Sequence, residues 1–403
     1  MTDIKNTKEN SIPSGWLSVD LEYVIASANT GLDAIKRAPI VKENTGVKCF
    51  RIQDASQKKD FEDWGNTKVE DRNYKKFKLL KGDILIARTG NSIGVNYLVK
   101  NDMISVFNNG LIRLRVNKKI DFTFLYKLIE SKNFDKYIQS IAYGTSTQPN
   151  MKISALLTYP LLLPPIIEQR AIADVLLSFD KKIELLQNQN KTLEEIGKNF
   201  FKEMSSKYIS DDQNIKAQDV LEFQKGIEVG SKKYFQKINE LENPVMFYRV
   251  GDISSNGNVS SIYCEKDLLK NRTFENNDIL VSFDGTVGRV YVGGNGGYSS
   301  GMRKVFSKDE SIKNSFIYFW AQSKKVQETI KLFSEGTTIQ HAGKSIAYLN
   351  MFSDNKEIEK ITELLEPVFR KILENLKQIH VLRMSIDTLS PKLMKGEIRV
   401  NLN

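Results

Sequence analysis

The sequence predicts an α+β protein built by tandem duplication. A mixed α/β domain is followed by a long helix, the whole is repeated, and the two long helices pair as an antiparallel intrachain coiled coil. Three observations predict this. Short motifs recur in one order along both halves of the 403 residues. Each half alternates short β-branched and aromatic runs with Gly and Asn turns before becoming helical. Two stretches carry apolar residues at alternating four- and three-residue spacing over several heptads.

The repeats come first. Phe50 to Asp54 (FRIQD) matches Tyr248 to Asp252 (YRVGD), and Gly82 to Ile86 (GDILI) matches Asn277 to Val281 (NDILV). Glycine turns follow the second pair, ARTGNSIG in one half and SFDGTVG in the other. VFNNGLIRL from Val106 resembles GYSSGMRKV from Gly297, FLYKLIESK from Phe124 resembles FIYFWAQSK from Phe316, and YGTSTQ from Tyr143 mirrors EGTTIQ from Glu335. The offset drifts from about 198 to about 192 residues, so the order is kept throughout. One such match is cheap; five in register mark a duplication.

Within each half the expected strands are 83–87 and 111–116, then 278–282 and 302–306, each followed by one helix, 122–141 or 314–333. The glycine-rich VGGNGGYSSG from Val292 reads as a flexible loop by turn chemistry. The first long helix has a seam at Ile172, Leu176, Phe179, Ile183, Leu186, Asn190, Leu193, Gly197, Phe200 and Met204. The second runs Ile361, Leu365, Val368, Ile372, Asn375, Ile379, Leu382, Ile386, Leu389 and Leu393. Asn190 and Asn375 fall at core positions, where an amide weakens a coiled coil but specifies its register. Two seams in one chain predict that the helices pair with each other; a parallel homodimer is the alternative. From Ile172 to Met204 the rod would span roughly 50 Å. That is long enough to hold two domains one to two DNA turns apart, a turn being about 34–36 Å. Pro367 interrupts the second seam, so a short helix should end near Leu365 and the long one should start with Pro367 in its first turn. Ser390-Pro391 suggests another break.

Composition narrows the function. With 40% hydrophobic and 27% charged residues the chain is globular, and a net charge of +10 favours a polyanionic partner. No apolar run approaches the roughly 20 residues of a membrane span, and the polar start MTDIKNTKENS lacks a secretory core, so a cytoplasmic protein is expected. Two cysteines (Cys49, Cys264) are too few for a disulfide framework, and with only two histidines (His341, His380) they argue against a Cys/His metal cluster and weaken any hydrolase triad. VGGNGG does not fit a dinucleotide fingerprint, and Thr338 stands where a P-loop ending in Gly343-Lys344-Ser345 needs its first glycine. NPVMF from Asn243 lacks the second proline of a methyltransferase tetrapeptide. Glu357 to Lys360 (EIEK) reads as a charged helix face rather than a nuclease site.

In order, IPSGW, GDIL with its glycine turn, GTSTQ and LPPIIEQRAI leading into a heptad helix, most of it duplicated, resemble the specificity subunit of type I restriction–modification systems. The resemblance covers nearly the whole chain. It implies target-recognition domains at 1–158 and 209–350, each reading half of a split site in double-stranded DNA, with helical spacers at 159–208 and 351–403. It further implies docking of two methyltransferase subunits and a restriction (motor) subunit. No catalysis or cofactor would belong to this chain; S-adenosylmethionine, ATP and magnesium would belong to the partners. FSDNKEIEK from Phe352 departs from the pattern, lacking the proline pair and the glutamine of LPPIIEQR. Two other readings stand beside this one: a homodimeric coiled-coil DNA-binding regulator, and an enzyme with a divergent nuclease or methyltransferase site.

Domains that read different bases should share framework and differ in readers. Asp83 with Asp278, Gly94 with Gly288 and Gly144 with Gly336 are therefore framework, and Gln148 with Gln340 brace the junction to the helix. Candidate DNA-binding residues are Arg37, Lys58, Lys59, Arg72, Lys75, Arg88, Thr89 and Asn91 in the first half. In the second they are Lys225, Lys232, Lys233, Arg289, Ser299, Ser300 and Arg303. Arginine suits guanine and asparagine suits adenine, which puts Arg88, Asn91, Arg289 and Arg303 first; lysines more often meet phosphate.

Overall fold

The computed structural model describes residues 12–57, 59–143, 150–207, 214–236, 238–253, 262–336 and 340–401. The chain forms two compact units, Met1–Phe179 with Ser385–Asn403, and Asp180–Met384. Segments of both long helices take part in both units.

In the first unit an antiparallel sheet orders Ile25–Thr30, Leu111–Val116, Ile84–Ala87 and Asn96–Leu98. The second unit repeats it with Leu221–Lys225, Met302–Ser307, Ile279–Ser282 and Val290–Tyr291. Another sheet orders Ile40–Val41, Gly65–Thr67, Lys48–Phe50 and Ser105–Phe107, the last two parallel. Its counterpart keeps three strands in the same relation, Tyr263–Glu265, Pro244–Tyr248 and Gly296–Tyr298, but adds its outer strand, Thr273–Phe274, at the opposite edge. A two-stranded ribbon precedes each long helix: Leu17–Asp20 with Pro160–Leu163, and Asn214–Lys216 with Asn350–Phe352. The duplication is one of topology.

The central strands explain the apolar runs ILIA and ILV. Side chains alternate faces along a strand. Ile84 and Ile86 enter the core of Phe124 and Leu125, whereas Leu85 and Ala87 enter that of Phe50 and Trp64. Ile279 and Val281 join Phe316 and Phe319, and Leu280 joins Tyr248 and Tyr298. Each strand is buried on both sides.

Four expectations are corrected. Each single helix is a pair, Phe122–Ile129 with Lys132–Tyr143 and Asn314–Gln322 with Lys324–Leu332. Serine intervenes at the same motif position in both. Ser131 Oγ accepts from Phe134 N at 3.2 Å, and Ser323 is extended at φ −64°, ψ 150°, so serine restarts the helix as a cap residue does. The glycine-rich stretch contains the buried strand Gly296–Tyr298 rather than only a loop. Its glycines serve close approach: a Cβ on Gly296 would lie 2.2 Å from Met246 O.

Neither proline breaks the second long helix, which runs unbroken from Asn355 to Met394, as the first runs from Ile166 to Lys207. Pro367 lies on the exposed face, where water can meet the Glu363 carbonyl that its ring deprives of a donor. Leu365 and Phe369 on the inner face are buried, and their packing outweighs the roughly 3 kcal/mol that an interior proline costs. Pro391 is exposed in the same way.

The seam survives with one shift. Ile172, Leu176 and Leu393 are buried in the first unit, with Phe179 and Ile386 half-buried; Leu186, Asn190, Ile372, Asn375 and Ile379 are buried in the second, with Ile183, Leu193 and Leu382 half-buried. Phe200, expected in the seam, is 44% exposed, and Phe201 at 3% takes its place against Phe316 and Phe352. A straight helix has 3.6 residues per turn and drifts from a 3.5-residue seam, so one four-residue step from Gly197 to Phe201 restores the inward face. Gly197 itself seats Phe319, whose Cε1 would be 2.2 Å from a Cβ there.

Asn375 Nδ2 donates to Asn190 Oδ1 at 2.8 Å and Gln189 Oε1 at 2.9 Å, while Asn190 Nδ2 donates to Ile372 O at 3.4 Å. The helices are antiparallel, so the two amides meet in one register only. Nearby, Tyr318 Oη donates to Glu194 Oε1 at 2.9 Å, and burial raises the Glu194 carboxyl above its usual 4.5. Among the described residues no helix is long and apolar enough to cross a membrane.

Asn375→Ala should destabilise the protein by about 1–3 kcal/mol, since it strips Asn190 of a buried partner. The double change Asn190→Leu with Asn375→Leu should instead raise the thermal midpoint while loosening the register; calorimetry distinguishes the two. Because the folded state holds a proton on Glu194 that the unfolded state has released, stability should fall as pH rises from about 4.5 through the raised folded value. Thermal melts should show Glu194→Gln exceeding the wild type at pH 7, with the gap closing near pH 4.

Candidate nucleic-acid interface

In both units the central strand starts beside a framework carboxylate and runs out into a glycine turn. Asp83 accepts from Leu80 N at 2.9 Å and from Arg115 Nε at 2.7 Å; Asp278 accepts from Glu275 N at 2.9 Å and Lys304 Nζ at 3.3 Å. The turns close at Gly94 (φ 87°) and Gly288 (φ 82°), a left-handed conformation that favours glycine.

Both flanks of each turn are stitched alike. Arg88 N donates to Gly110 O at 2.9 Å and Arg88 O accepts from Met151 N at 2.9 Å; Phe283 N donates to Gly301 O at 2.9 Å and Phe283 O accepts from Ala342 N at 2.7 Å. Behind the stitched loop a further glycine lets two backbones touch: a Cβ on Gly31 would lie 2.2 Å from Phe107 O, and one on Gly226 2.2 Å from Ser299 O. The Arg-x-x-Asp repeats form the same loop lock, with Arg51 N donating to Asp54 Oδ2 at 3.0 Å and Arg249 N to Asp252 Oδ2 at 2.9 Å. Four separate segments thus converge on one frame in each unit.

The side chains on that frame differ. In the first unit Arg88 Nη2 donates to Asn150 Oδ1 at 2.8 Å, Thr89 bridges Asn150 through its backbone, Ser92 meets Ser56 at 3.1 Å, and Asn91 is exposed. In the second, Phe283 replaces Arg88, and Asp284 bridges His341 while its Oδ1 holds His341 Nδ1 at 2.7 Å. Arg303 lies over the Phe283 ring at 5.9 Å, and its Nη1 donates to Ser300 O at 2.8 Å and Met302 O at 3.1 Å; burial pulls its guanidinium below the usual value. Arg289 Nη1 donates to Val250 O at 3.1 Å and Ile253 O at 3.0 Å, so this arginine braces the loop around it. Ser299 is buried, and Ser300 Oγ donates to Glu228 Oε2 at 3.1 Å. Lys225 faces Arg303 directly across adjacent strands. Like charges so placed destabilise a sheet, and an anion laid over them would relieve the repulsion.

Other candidates lie elsewhere. Arg37 donates to Asp33 at 2.6 Å, a bond that holds the Asp33 carboxyl down at about 2. Lys59 is 3.6 Å from Asp54. Arg72 and Lys75 are exposed on the helix Asp71–Phe77, and Lys232 and Lys233 on the turn Ser231–Lys233. Lys58, Gly144 and Gln148 lie outside the described residues.

Sequence reasoning left the Asn150 and His341 positions unused. The available signal was that they lie two residues and one residue past the shared GTSTQ and GTTIQ strings, where the halves diverge. It also missed why IPSGW and LPPIIEQR occur together. Glu168, buried, accepts from Trp16 Nε1 at 3.0 Å and from Arg399 Nη2 at 2.8 Å. Gln169 accepts from Asp121 N at 2.8 Å and donates to Pro164 O at 2.8 Å and Lys119 O at 3.0 Å. The motif clamps the helix start.

Neither cysteine suits covalent chemistry. Burial pushes the Cys49 thiol up to about 12 and the Cys264 thiol up to about 11, away from the thiolate a nucleophile needs. Among the described residues no group of three or more His, Cys, Asp or Glu is placed to hold a metal ion.

Comparison with known proteins agrees with this architecture. Residues 13–195 and 210–378 match the family model of the type I restriction modification DNA specificity domain. A Methanocaldococcus jannaschii chain assigned as the MjaX specificity subunit of a type I restriction enzyme is 24% identical, across 99% of this chain and 97% of its own. The type I restriction enzyme MjaIX specificity subunit of that organism is 25% identical over 79% of this chain and 78% of its own. The crystal structure of a type I restriction–modification system S subunit from M. genitalium superposes with a TM-score of 0.53 at 17% identity, covering 96% of this chain and 98% of that one, and so shares the fold.

Gly31→Ala and Gly226→Ala should each destabilise the protein by about 1–3 kcal/mol through overpacking at the backbone crossing. Gly90→Ala, with open space around its Cβ, should lose less, its φ of 71° being the sole penalty. Denaturant titration of the three variants ranks them.

Proposed function

Because the chain belongs to the type I restriction–modification DNA specificity family, and is a non-catalytic DNA-recognition subunit, we propose a division of labour among its parts. Each stitched turn, with the loops beside it, reads one half of a split duplex site. The paired long helices set the gap between the halves and dock two methyltransferase subunits, with a restriction subunit joining them. S-adenosylmethionine, ATP and magnesium belong to those partners, and the assembly works in the cytoplasm.

The observation that supports this best is the twin frame bearing unlike polar side chains, Arg88 and Asn150 on one, Asp284, His341 and Arg303 on the other. Base edges are told apart by their donor and acceptor patterns, so two domains for two sequences need one scaffold and two sets of polar groups. Asn91 and Arg88 remain the leading readers of the first half. Arg303 is that of the second, with Lys225 beside it for phosphate, and Arg289 shapes the loop from beneath.

Docking is supported by the outer face of the first long helix. Leu185, Ile196 and Phe200 are exposed there, and at eleven- and four-residue spacing they share an arc of about 60°. An apolar stripe of this kind suits a protein partner better than solvent.

Matched seven-residue insertions in both long helices, adding about 10 Å at 1.5 Å per residue, should widen the preferred gap by about three base pairs. Neither half-site should change. Selection from randomised duplexes reads both at once, and an unaltered gap would count against the ruler.

A further inference from the structure

The stitched turn has one position at which the backbone is the same in both units and the chemistry is not. Thr89 bridges Asn150 in the first unit, and Asp284 bridges His341 in the second, both as antiparallel bridges. The neighbouring bonds also correspond: Met151 N to Arg88 O and Ala342 N to Phe283 O. Asn150 and His341 are therefore structural equivalents, and both are exposed beside the residues expected to meet DNA.

We propose that Asn150 and His341 are a matched pair of base-reading residues, each deciding one base pair of its own half-site. This deepens the DNA-recognition reading and rests on it.

Each side chain is held by a neighbour in a way that leaves part of it available. Arg88 Nη2 engages the Asn150 carbonyl oxygen, which turns the amide as a unit and leaves its Nδ2 protons to donate. A donor of that kind matches the adenine N7 or guanine N7 and O6 acceptors of the major groove. In the second unit His341 Nδ1 lies 2.7 Å from Asp284 Oδ1, and a carboxylate there selects the tautomer that donates from Nδ1, in which Nε2 carries the lone pair. An acceptor there matches an exocyclic amine, that of adenine or cytosine. The ring is 64% exposed, so Nε2 can be reached from outside. Arg303 is within electrostatic reach of Asp284, and its Nη2 would lie 3.7 Å from a Cβ on Gly343, two residues past the histidine, so positive charge stands beside this loop. In the first unit Thr89 stands at the place of Asp284. Opposite hydrogen-bonding characters on one backbone position are what two unlike half-sites require.

The test uses the full chain with its wild-type sequence, His341→Ala and Asn150→Ala, in selections from duplexes randomised in both halves, with thermal midpoints measured alongside. His341→Ala should cut discrimination about tenfold or more at one base pair of the half-site read by the second domain and leave the other half-site as it was. Asn150→Ala should do the reverse, and both midpoints should stay at the wild-type value. Unchanged selection by both variants overturns the pair. So does a loss spread evenly over a half-site or a lowered midpoint, because either marks a brace for the loop rather than a reader. Should the wild type itself select no split sequence, the DNA-recognition reading fails first, and the result is distinguishable from failure of the pair alone.

Discussion

The amide layer joining Asn190, Asn375 and Gln189 determines which residue of one long helix faces which residue of the other. Apolar side chains tolerate a slip of one turn, because leucine packs on isoleucine almost as well as on valine. A carboxamide does not: moved along the seam it loses its partner inside an apolar layer, at a cost of about 1–3 kcal/mol. The same register decides which helix residues each globular core receives. Ile172 and Leu176 complete one core, and Phe201 with Ile361, Leu365 and Phe369 completes the other. Both recognition units depend on it for their floor.

The two ends of the seam are secured differently. In the first unit Glu168 and Gln169 tie the helix start to Trp16, Arg399 and the carbonyls of Lys119 and Pro164, so residues from both chain ends and the helix are fastened at one point. Counting back from the equivalent seam residues Ile172 and Ile361, Ile358 occupies the Gln169 position and is buried. Hydrophobic packing replaces a polar clamp there. A clamp of directed hydrogen bonds fixes an angle, whereas an isoleucine chiefly excludes water.

Around the turns, divergence spares the shared frame. The glycine crossings at Gly31 and Gly226, the Arg-x-x-Asp locks and the stitched turns are common to both units, because close backbone approach and left-handed turns accept few residues. Around them the outer strand of one sheet changes edge, and Arg88 gives way to Phe283. A frame that tolerates such exchange lets polar groups vary without refolding the domain.

Local chemistry made much of this readable. The duplicated motifs, both long helices, the largely apolar central strands and the amides in the seam follow from periodicity and repetition, which act over short stretches of chain. Helix continuity through Pro367, the exchange of Phe200 for Phe201 and the burial of Gly296–Tyr298 did not, since each is decided by what packs against it from far away in sequence. The same holds for the candidate interface. The sequence alone located the turns at Arg88 and Arg289, but only folding brought Asn150 and His341 to them and turned the Arg289 guanidinium toward backbone carbonyls, because a reading surface is assembled from segments tens of residues apart.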